Sequence, residues 1–181
     1  MKKIAVLLIG VFLLACTCSA PTLTLPLPTS TLSILPDRIE SPVSTPPLES
    51  NLTLVRLSPR DGSLTGQLHA AAPQVAALGQ RMFVEFDAEW CPSCKVITLG
   101  LEQQKSEALL AAFDGVYLIR LDVDEWGWGV PEAGFEFEGI PVFFRLDENG
   151  DPTGDWIDGS AWGPDTYENI ARVMGPWLHQ P

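Results

Sequence analysis

The sequence predicts an α/β fold in which a mixed β-sheet lies between two layers of helices. Two apolar segments, 82–86 and 116–123, have the length of buried strands, and the segment 92–113 between them repeats its apolar residues at helical spacing. Strand, helix and strand in this order form a βαβ unit. The turn residues Asp147–Gly150 and an apolar helical stripe after Pro164 follow it. We therefore expect a three-layer α/β/α sandwich made of a βαβ unit, a β-hairpin and a C-terminal helix.

The other predicted elements complete this order. An Ala-rich segment, 68–78, predicts a first helix that is interrupted or restarted at Pro73, because proline is accepted in the first turn of a helix. The segments 139–146 and 153–158 are the strands expected on either side of the hairpin turn. The segment 124–138 is acidic and aromatic and has no period, so we expect it to be irregular.

Length and charge limit the functions that are possible. The chain has 181 residues, which is enough for one domain with some additional chain, and its formal net charge is −12. A strongly acidic surface repels phosphate backbones, so the composition argues against nucleic acid as a partner. We expect the protein to be a monomer.

The N-terminus has the features of an export signal. A basic start, Met1–Lys3, is followed by an apolar run of 12 residues, 4–15, which is too short to span a bilayer as a helix. The run ends in Leu13-Leu14-Ala15-Cys16, which resembles the lipobox of bacterial lipoproteins. This resemblance implies cleavage before Cys16, lipidation of its sulfur and anchoring to a bacterial membrane. The alternative is an ordinary secretory signal that is cleaved near Ala20.

These features divide the chain into three parts. Residues 1–15 are predicted to be a signal peptide, and residues 16–62, which are rich in Pro, Ser and Thr, a lipidated tether without regular structure. Residues 63–181 are the predicted globular domain. The outer face of the cytoplasmic membrane, or the periplasm, is a compartment in which disulfide bonds persist.

Two of the cysteines form a C-x-x-C pair directly after an apolar strand. In Trp90-Cys91-Pro92-Ser93-Cys94-Lys95 the first cysteine lies at the N-terminus of the predicted helix, where backbone N–H groups and the helix dipole stabilise a thiolate. Cys94 follows one turn later, near enough to form a disulfide bond with Cys91. We interpret the pair as a redox-active dithiol. The alternative is a structural disulfide, although a bond that closes so short a loop stabilises a fold only weakly.

This stretch resembles the active site of the thioredoxin superfamily. The segment Gly139-Ile140-Pro141, about 50 residues downstream and just before the hairpin, is similar to the family's cis-proline segment. The resemblance covers residues 68–178. It implies a thioredoxin-like fold, with the C-P-S-C pair as its active site, and the activity of a protein-disulfide oxidoreductase.

The resemblance also implies a role for each matching residue. Cys91 is the exposed nucleophile that attacks a substrate disulfide, and Cys94 resolves the mixed disulfide that forms. Pro141 is the cis-proline whose strand end faces the dithiol and offers backbone pairing to a bound peptide. No cofactor is implied beyond the redox-active disulfide, and the implied partners are exported protein thiols or disulfides and a redox partner. The residues expected to contact substrate are Trp90, Pro92, Ser93, Ile140 and Pro141.

A candidate proton acceptor lies on the strand before the dithiol. Glu85 matches a position where thioredoxins often have a buried Asp beneath the resolving cysteine, which implies a raised pKa and a proton-shuttle role. The alternative is an edge-strand or ion-paired acid, with Arg120 as its partner. Asp87 departs from the family, which often has an aromatic residue there. Pro92-Ser93 replaces the Gly-Pro of thioredoxins proper, so the direction of electron flow stays open.

A second class of function remains for the same dithiol. A thioredoxin-like binding or assembly module, for copper handling or cytochrome maturation, would use Cys91 and Cys94 as soft ligands for Cu(I) rather than for turnover. No His or Met cluster accompanies the pair, and a structural zinc site needs four ligands, so we predict no metal site. The loop Trp126–Gly129 is either a partner-binding surface or part of a satellite core.

Overall fold

The computed structural model describes residues 50–181. The predicted signal peptide, Cys16 and most of the predicted tether lie outside the described residues. The helices and strands are β1 Thr53–Arg56, α1 Leu64–Leu78, β2 Arg81–Asp87, α2 Pro92–Leu101, α3 Glu107–Ala112, β3 Val116–Asp122, α4 Val123–Trp126, β4 Val142–Leu146, β5 Pro152–Asp158 and α5 Tyr167–Leu178.

The sheet has five strands in the order β1-β3-β2-β4-β5. Strands β1, β3 and β2 are parallel, whereas β4 is antiparallel to both β2 and β5. One apolar core, which includes Leu64 and Leu68, packs α1 on one face of the sheet. A second core, which includes Leu109 and Ile170, packs α3 and α5 on the other face. The predicted thioredoxin-like α/β/α sandwich with a mixed sheet is confirmed.

The two cores follow from the alternation of side chains along each strand. On β2, Met82 and Val84 belong to the core under α1, whereas Phe83 belongs to the core under α3 and α5. Glu85 and Asp87 follow Phe83 at intervals of two, so they point to that second face. The helix after Asp87 therefore covers two buried carboxyl groups.

The domain begins earlier than the predicted boundary at residue 63. Strand β1 pairs in parallel with β3, from Thr53 opposite Tyr117 to Arg56 opposite Arg120. The backbone N–H of Gly115 also donates to the carbonyl oxygen of Asn51 at 2.8 Å. A strand of four residues is too short to show a period, and the surrounding Pro, Ser and Thr residues concealed it.

The predicted helix 92–113 is wrong as a single element, because the structure divides it into α2 and α3. Gln104 between them has a φ of +52°, outside the helical region. Ser106 then caps α3, since its hydroxyl accepts a hydrogen bond from the N–H of Leu109 at 3.2 Å. The cap starts a second helix within the same apolar pattern.

The predicted break of the first helix at Pro73 is also wrong. Helix α1 starts at Leu64 after the cap residue Ser63 and continues through Pro73. Proline removes one N–H donor from the helix, but Ala72 and Val75 beside it are buried in the core and hold the helix together. Helix α5 likewise starts after its cap Thr166, rather than at Pro164.

The hairpin turn forms where the sequence predicts it. The Asp147 carboxylate accepts hydrogen bonds from the N–H groups of Asn149 and Asp151, both at 2.9 Å. Gly150 has a φ of +92°, and a Cβ atom there would lie 2.9 Å from the carbonyl oxygen of Leu68. Glycine is therefore needed both for the turn and for its contact with α1.

No helix within residues 50–181 has the length and apolar character needed to cross a membrane.

Replacing Gly150 by Ala is expected to lower the free energy of unfolding by about 2–4 kcal/mol, because it adds backbone strain and a clash with α1. Gly154→Ala is the matched control, since Gly154 has a similar φ of +83° but a Cβ atom there would have no neighbour within 4 Å. It is expected to cost about 1 kcal/mol. Equal losses in denaturant unfolding of the two variants would show that the contact with α1 is not tight.

Candidate active site

The two cysteines of the C-x-x-C pair are joined by a disulfide bond, with an S–S distance of 2.12 Å and a Cα–Cα distance of 5.3 Å. Cys91 is the N-cap residue of α2, and its sulfur lies 3.2 Å from the backbone N of Cys94. This N–H points at the sulfur from the positive end of the helix dipole. The same contact stabilises negative charge on Cys91 when the bond is open.

The expectation that Cys91 is exposed is wrong for this disulfide form. Only 3% of Cys91 and 1% of Cys94 are exposed, so burial does not distinguish the two cysteines. Their positions in the helix distinguish them, because Cys91 is the N-cap residue whereas Cys94 lies inside the first turn. The exposed residues Trp90 and Pro92 lie on either side of Cys91.

The cis-proline segment lies against the dithiol. The Ile140–Pro141 peptide bond is cis, and the carbonyl oxygen of Ile140 is 4.0 Å from the sulfur of Cys91. The carbonyl oxygen of Pro141 accepts a hydrogen bond from the N–H of Gly159 at 2.9 Å. The fold thus brings together residues that are separated by 49 positions in the chain.

Hydrogen bonds orient the other residues around the disulfide. The indole N–H of Trp90 donates to Asp124 at 2.9 Å, although 53% of Trp90 is exposed. The hydroxyl of Ser93 donates to Asp165 at 2.6 Å and so connects α2 to the loop before α5. The contact of Trp90, Pro92, Ser93, Ile140 and Pro141 with substrate remains a prediction.

A buried charge cluster lies between the sheet and α2. The Arg120 Nε–H donates to Glu85 at 2.8 Å, and a second guanidinium nitrogen donates to Asp87. Asp87 also accepts two hydrogen bonds from the guanidinium of Arg56 on the edge strand, at 2.9 and 2.7 Å. Glu85, Asp87 and Arg120 are all buried. The cluster therefore joins three adjacent strands, β1, β3 and β2.

Arg120 also binds Thr98 of α2 and Glu102, the residue that caps the C-terminus of α2. It donates to the hydroxyl of Thr98 at 2.7 Å and to the carboxylate of Glu102 at 2.5 Å. Thr98 and Glu102 follow Cys94 at intervals of four, which places them on one stripe of the helix. Cys94, Thr98 and Glu102 therefore lie along one side of the helix. This side faces the guanidinium of Arg120, which is also hydrogen-bonded to Glu85.

Burial raises the pKa of Glu85 from 4.5 to about 7, while the nearby Arg120 lowers this pKa and Asp87 raises it. The cluster contains three carboxyl groups, on Glu85, Asp87 and Glu102, but only two guanidinium groups. Of the three acids, Glu85 is completely buried, and its second carboxyl oxygen has no hydrogen-bond partner. Glu85 therefore holds a proton to a higher pH than an ordinary glutamate does.

Sequence reasoning paired Arg120 with Glu85 but missed the roles of Asp87, Arg56 and Glu102. Asp87 follows Glu85 by two positions on a strand, so the period of two was a signal that both acids share a face. Arg56 had no such signal, because its strand was not predicted.

The two tryptophans that follow β3, Trp126 at the end of α4 and Trp128 just beyond it, have different environments. Trp126 is half-buried, and its indole N–H donates to the carbonyl oxygen of Leu57 at 3.1 Å. Trp128 is 54% exposed, with its ring centroid 6.3 Å from those of Trp90 and Phe137.

Within residues 50–181 no group of three or more His, Cys, Asp or Glu side chains is arranged to hold a metal ion.

Comparison with known proteins identifies relatives named for thiol–disulfide chemistry. The chain is 34% identical over 91 residues to a thiol:disulfide interchange protein TxlA homolog of Synechocystis, a match that covers 49% of this chain and 48% of that protein. It is 32% identical over 111 residues to the thiol:disulfide interchange protein TxlA of Synechococcus elongatus, with 56% and 54% covered.

A third relative is the thioredoxin-like protein HCF164, chloroplastic, of Arabidopsis thaliana, at 33% identity over 100 residues, with 52% of this chain and 36% of that protein covered. The chain spans about half the length of the first two relatives. The crystal structure of a poplar thioredoxin h aligns at 21% identity with a TM-score of 0.44, covering 72% of this chain and 99% of that one. No protein-family model matches the chain.

Proposed function

We propose that this chain, whose residues 50–181 form a thioredoxin-like domain, is a thiol–disulfide oxidoreductase that exchanges disulfides with other proteins. The observation that carries the proposal is the Cys91–Cys94 disulfide at the N-terminus of α2, 4.0 Å from the carbonyl oxygen before the cis-proline. The names of the three relatives support the same chemistry.

The reaction transfers two electrons through a mixed disulfide. The Cys91 thiolate attacks one sulfur of a substrate disulfide; a Cys91–substrate bond forms, and the other substrate sulfur leaves as a thiolate and takes up a proton. Cys94 then loses its proton and attacks the Cys91 sulfur. The Cys91–Cys94 bond forms, and the second substrate sulfur leaves and is protonated. The substrate has been reduced to a dithiol, and the domain has been oxidised. The reverse sequence oxidises a substrate dithiol.

Glu85 is the proposed acceptor for the proton that Cys94 loses. Its raised pKa of about 7 lets it gain and lose a proton near neutral pH. Its second carboxyl oxygen has no hydrogen-bond partner, and Arg120, which binds the first, also donates to Thr98 on the helix that carries Cys94. Arg120 positions this carboxyl group through a hydrogen bond of 2.8 Å.

The N-terminal sequence supports an anchored and exported protein. In this proposal the chain is lipidated on Cys16 and held by its tether at a bacterial membrane, on the outer face of the cytoplasmic membrane or the periplasmic side. Its substrates are exported proteins with thiols or disulfides. If the domain reduces its substrates, a second protein with a dithiol would return it to the reduced form. If it oxidises them, a second protein with a disulfide would return it to the oxidised form.

The test traps the mixed disulfide. The full chain with Cys94→Ser is reduced and mixed with a disulfide-bonded model peptide, and the product is measured by mass spectrometry without reductant. A peptide bonded to Cys91 is expected to accumulate, because no resolving thiol remains. Cys91→Ser is the matched control and is expected to trap no peptide.

Two results would contradict the proposal. A Cys94→Ser variant that forms no adduct, while the unmodified chain leaves the peptide oxidised, would remove thiol exchange as the function. Copper retained at one equivalent by the unmodified chain, together with no exchange, would favour the dithiol as a ligand instead. Where exchange occurs, the reduction potential of the Cys91–Cys94 pair gives its direction.

A further inference from the structure

A cleft of about 530 Å³ opens directly beside the cis-proline segment, and the reaction proposed above does not use it. Three carboxyl groups line it, on Glu136, Glu138 and Asp158, together with the rings of Phe137 and Trp156. We refer to these five residues as the acidic cleft. Phe137 packs on the core side against the buried Phe86, with the two ring centroids 4.5 Å apart.

The acidic cleft has no positive charge of its own. Between Arg120 and Arg145 the sequence contains six acidic residues and neither Lys nor Arg. Glu136 and Glu138 are exposed, and no basic side chain of residues 50–181 lies within ion-pair distance of either. Both carboxylates are therefore free to pair with a cation from outside the domain.

The aromatic wall is complementary to the same type of group. Trp156 is 53% exposed, so its indole is accessible beside the carboxylates. The face of an indole ring attracts ammonium and guanidinium groups through its quadrupole, and the aliphatic part of Lys or Arg packs on it. An acidic rim alone would hold any cation weakly, whereas ring and carboxylate together favour a long cationic side chain.

The cleft is also close to the reacting sulfur. Glu138 precedes Ile140 by two residues, so their Cα atoms are at most about 7 Å apart. The carbonyl oxygen of Ile140 is 4.0 Å from the sulfur of Cys91. A substrate whose cysteine is bonded to Cys91 would thus place neighbouring side chains over the cleft.

We propose that the acidic cleft binds a Lys or Arg side chain of the substrate protein, located within about three residues of the cysteine that reacts with Cys91. The inference rests on the proposed function and adds a substrate class to it. Substrates would be disulfide proteins with a basic residue beside the reactive cysteine. Those with an acidic residue there would be disfavoured by the carboxylates.

The experiment compares three synthetic disulfide peptides that differ only in the residues beside the cysteines, which are Arg, Gln or Glu. The reduced full chain is expected to reduce the Arg peptide about five- to tenfold more efficiently than the Gln peptide, with the difference in KM. The Glu peptide is expected to be slowest. The preference should shrink in about 1 M salt, where the Debye length is about 3 Å.

Variants separate the cleft from the overall negative charge. Glu136→Gln combined with Glu138→Gln is expected to remove most of the preference for Arg, and Trp156→Ala part of it. Glu107→Gln combined with Glu168→Gln is the matched control, since it removes the same charge from exposed positions of α3 and α5. This control is expected to keep the full preference.

The outcomes distinguish the acidic cleft as a binding site from the proposed thiol–disulfide exchange. Equal rates for the three peptides, or equal loss of preference in both double variants, would overturn the acidic cleft as the site and leave the oxidoreductase intact. A reduced chain that exchanges with none of the peptides would overturn the proposed function. A preference that only the cleft variants remove would establish the site.

Discussion

Replacing Arg120 by Met is expected to lower the free energy of unfolding by about 3–5 kcal/mol near pH 8. Arg120 holds Glu85, Asp87 and Glu102 through three separate nitrogens. Methionine fills a similar space but carries no charge, so Glu85 remains in the core without a counter-ion. Asp87 keeps Arg56 as a partner, which limits the loss.

The loss should depend on pH in a defined direction. Arg120 lowers the pKa of Glu85, so its removal raises that pKa further above the value of about 7. The folded variant then keeps its proton up to a higher pH than the unfolded chain does, and its stability falls further as pH rises. The difference from the unmodified protein is therefore expected to be smaller near pH 5, where Glu85 is neutral in both proteins.

Chemical denaturation at both pH values checks this prediction. Arg120→Met combined with Glu85→Gln should recover part of the lost stability, because the second change removes the buried charge. Arg172→Met is the control on an exposed helix position and is expected to change stability by less than about 0.5 kcal/mol. A loss in Arg120→Met that is the same at both pH values would point to packing rather than charge.

The features that sequence reasoning predicted are those with a strong local signal. The βαβ unit, the hairpin and the last helix each have an apolar period or a turn signature, and the structure contains all of them. The C-x-x-C pair and Ile140-Pro141 were identified as motifs, and the fold brings them together. The break between α2 and α3 was missed, because the apolar pattern continues across it and the serine cap is a weaker signal.

The charge cluster shows why the rest of the site was less predictable. It joins residues from β1, β2, β3 and α2, and such a set is defined by the register between strands rather than by any single segment. Arg56 lies opposite Arg120 across β1 and β3, a pairing of like charges that Asp87 offsets by accepting hydrogen bonds from both guanidinium groups. No local pattern in the sequence reveals a contact of this kind.

Replacing Glu85 by Gln is expected to slow disulfide exchange by about 100-fold near pH 7.5, because Cys94 loses its proton acceptor. Glutamine has nearly the same shape, and its carbonyl oxygen still accepts a hydrogen bond from Arg120. In the unmodified protein the rate of the resolving step should rise as pH passes about 7, where Glu85 becomes deprotonated. The Glu85→Gln variant should lack this rise, which single-turnover measurements from about pH 5.5 to 8.5 would detect.

Stability gives a second readout of the same proton. The pKa of Glu85 is raised from 4.5 to about 7 in the folded protein, so the folded state holds a proton over that window and the unfolded state does not. The stability that this proton contributes is complete below pH 4.5 and is lost as pH rises to about 7, by about 1.4 kcal/mol per pH unit. Relative to the unmodified protein, Glu85→Gln should therefore become more stable across that window.

Glu102→Gln separates proton transfer from ion pairing, because Glu102 binds the same guanidinium from the exposed side of the cluster. It is expected to change the exchange rate by less than about twofold and to keep the rise near pH 7, since an ion pair from so exposed a side chain contributes little and Glu85 is unchanged. If Glu85→Gln exchanged disulfides as fast as the unmodified protein at every pH, Glu85 would be an ion-paired structural acid. A slow variant that still showed the rise near pH 7 would assign that titration to a different group.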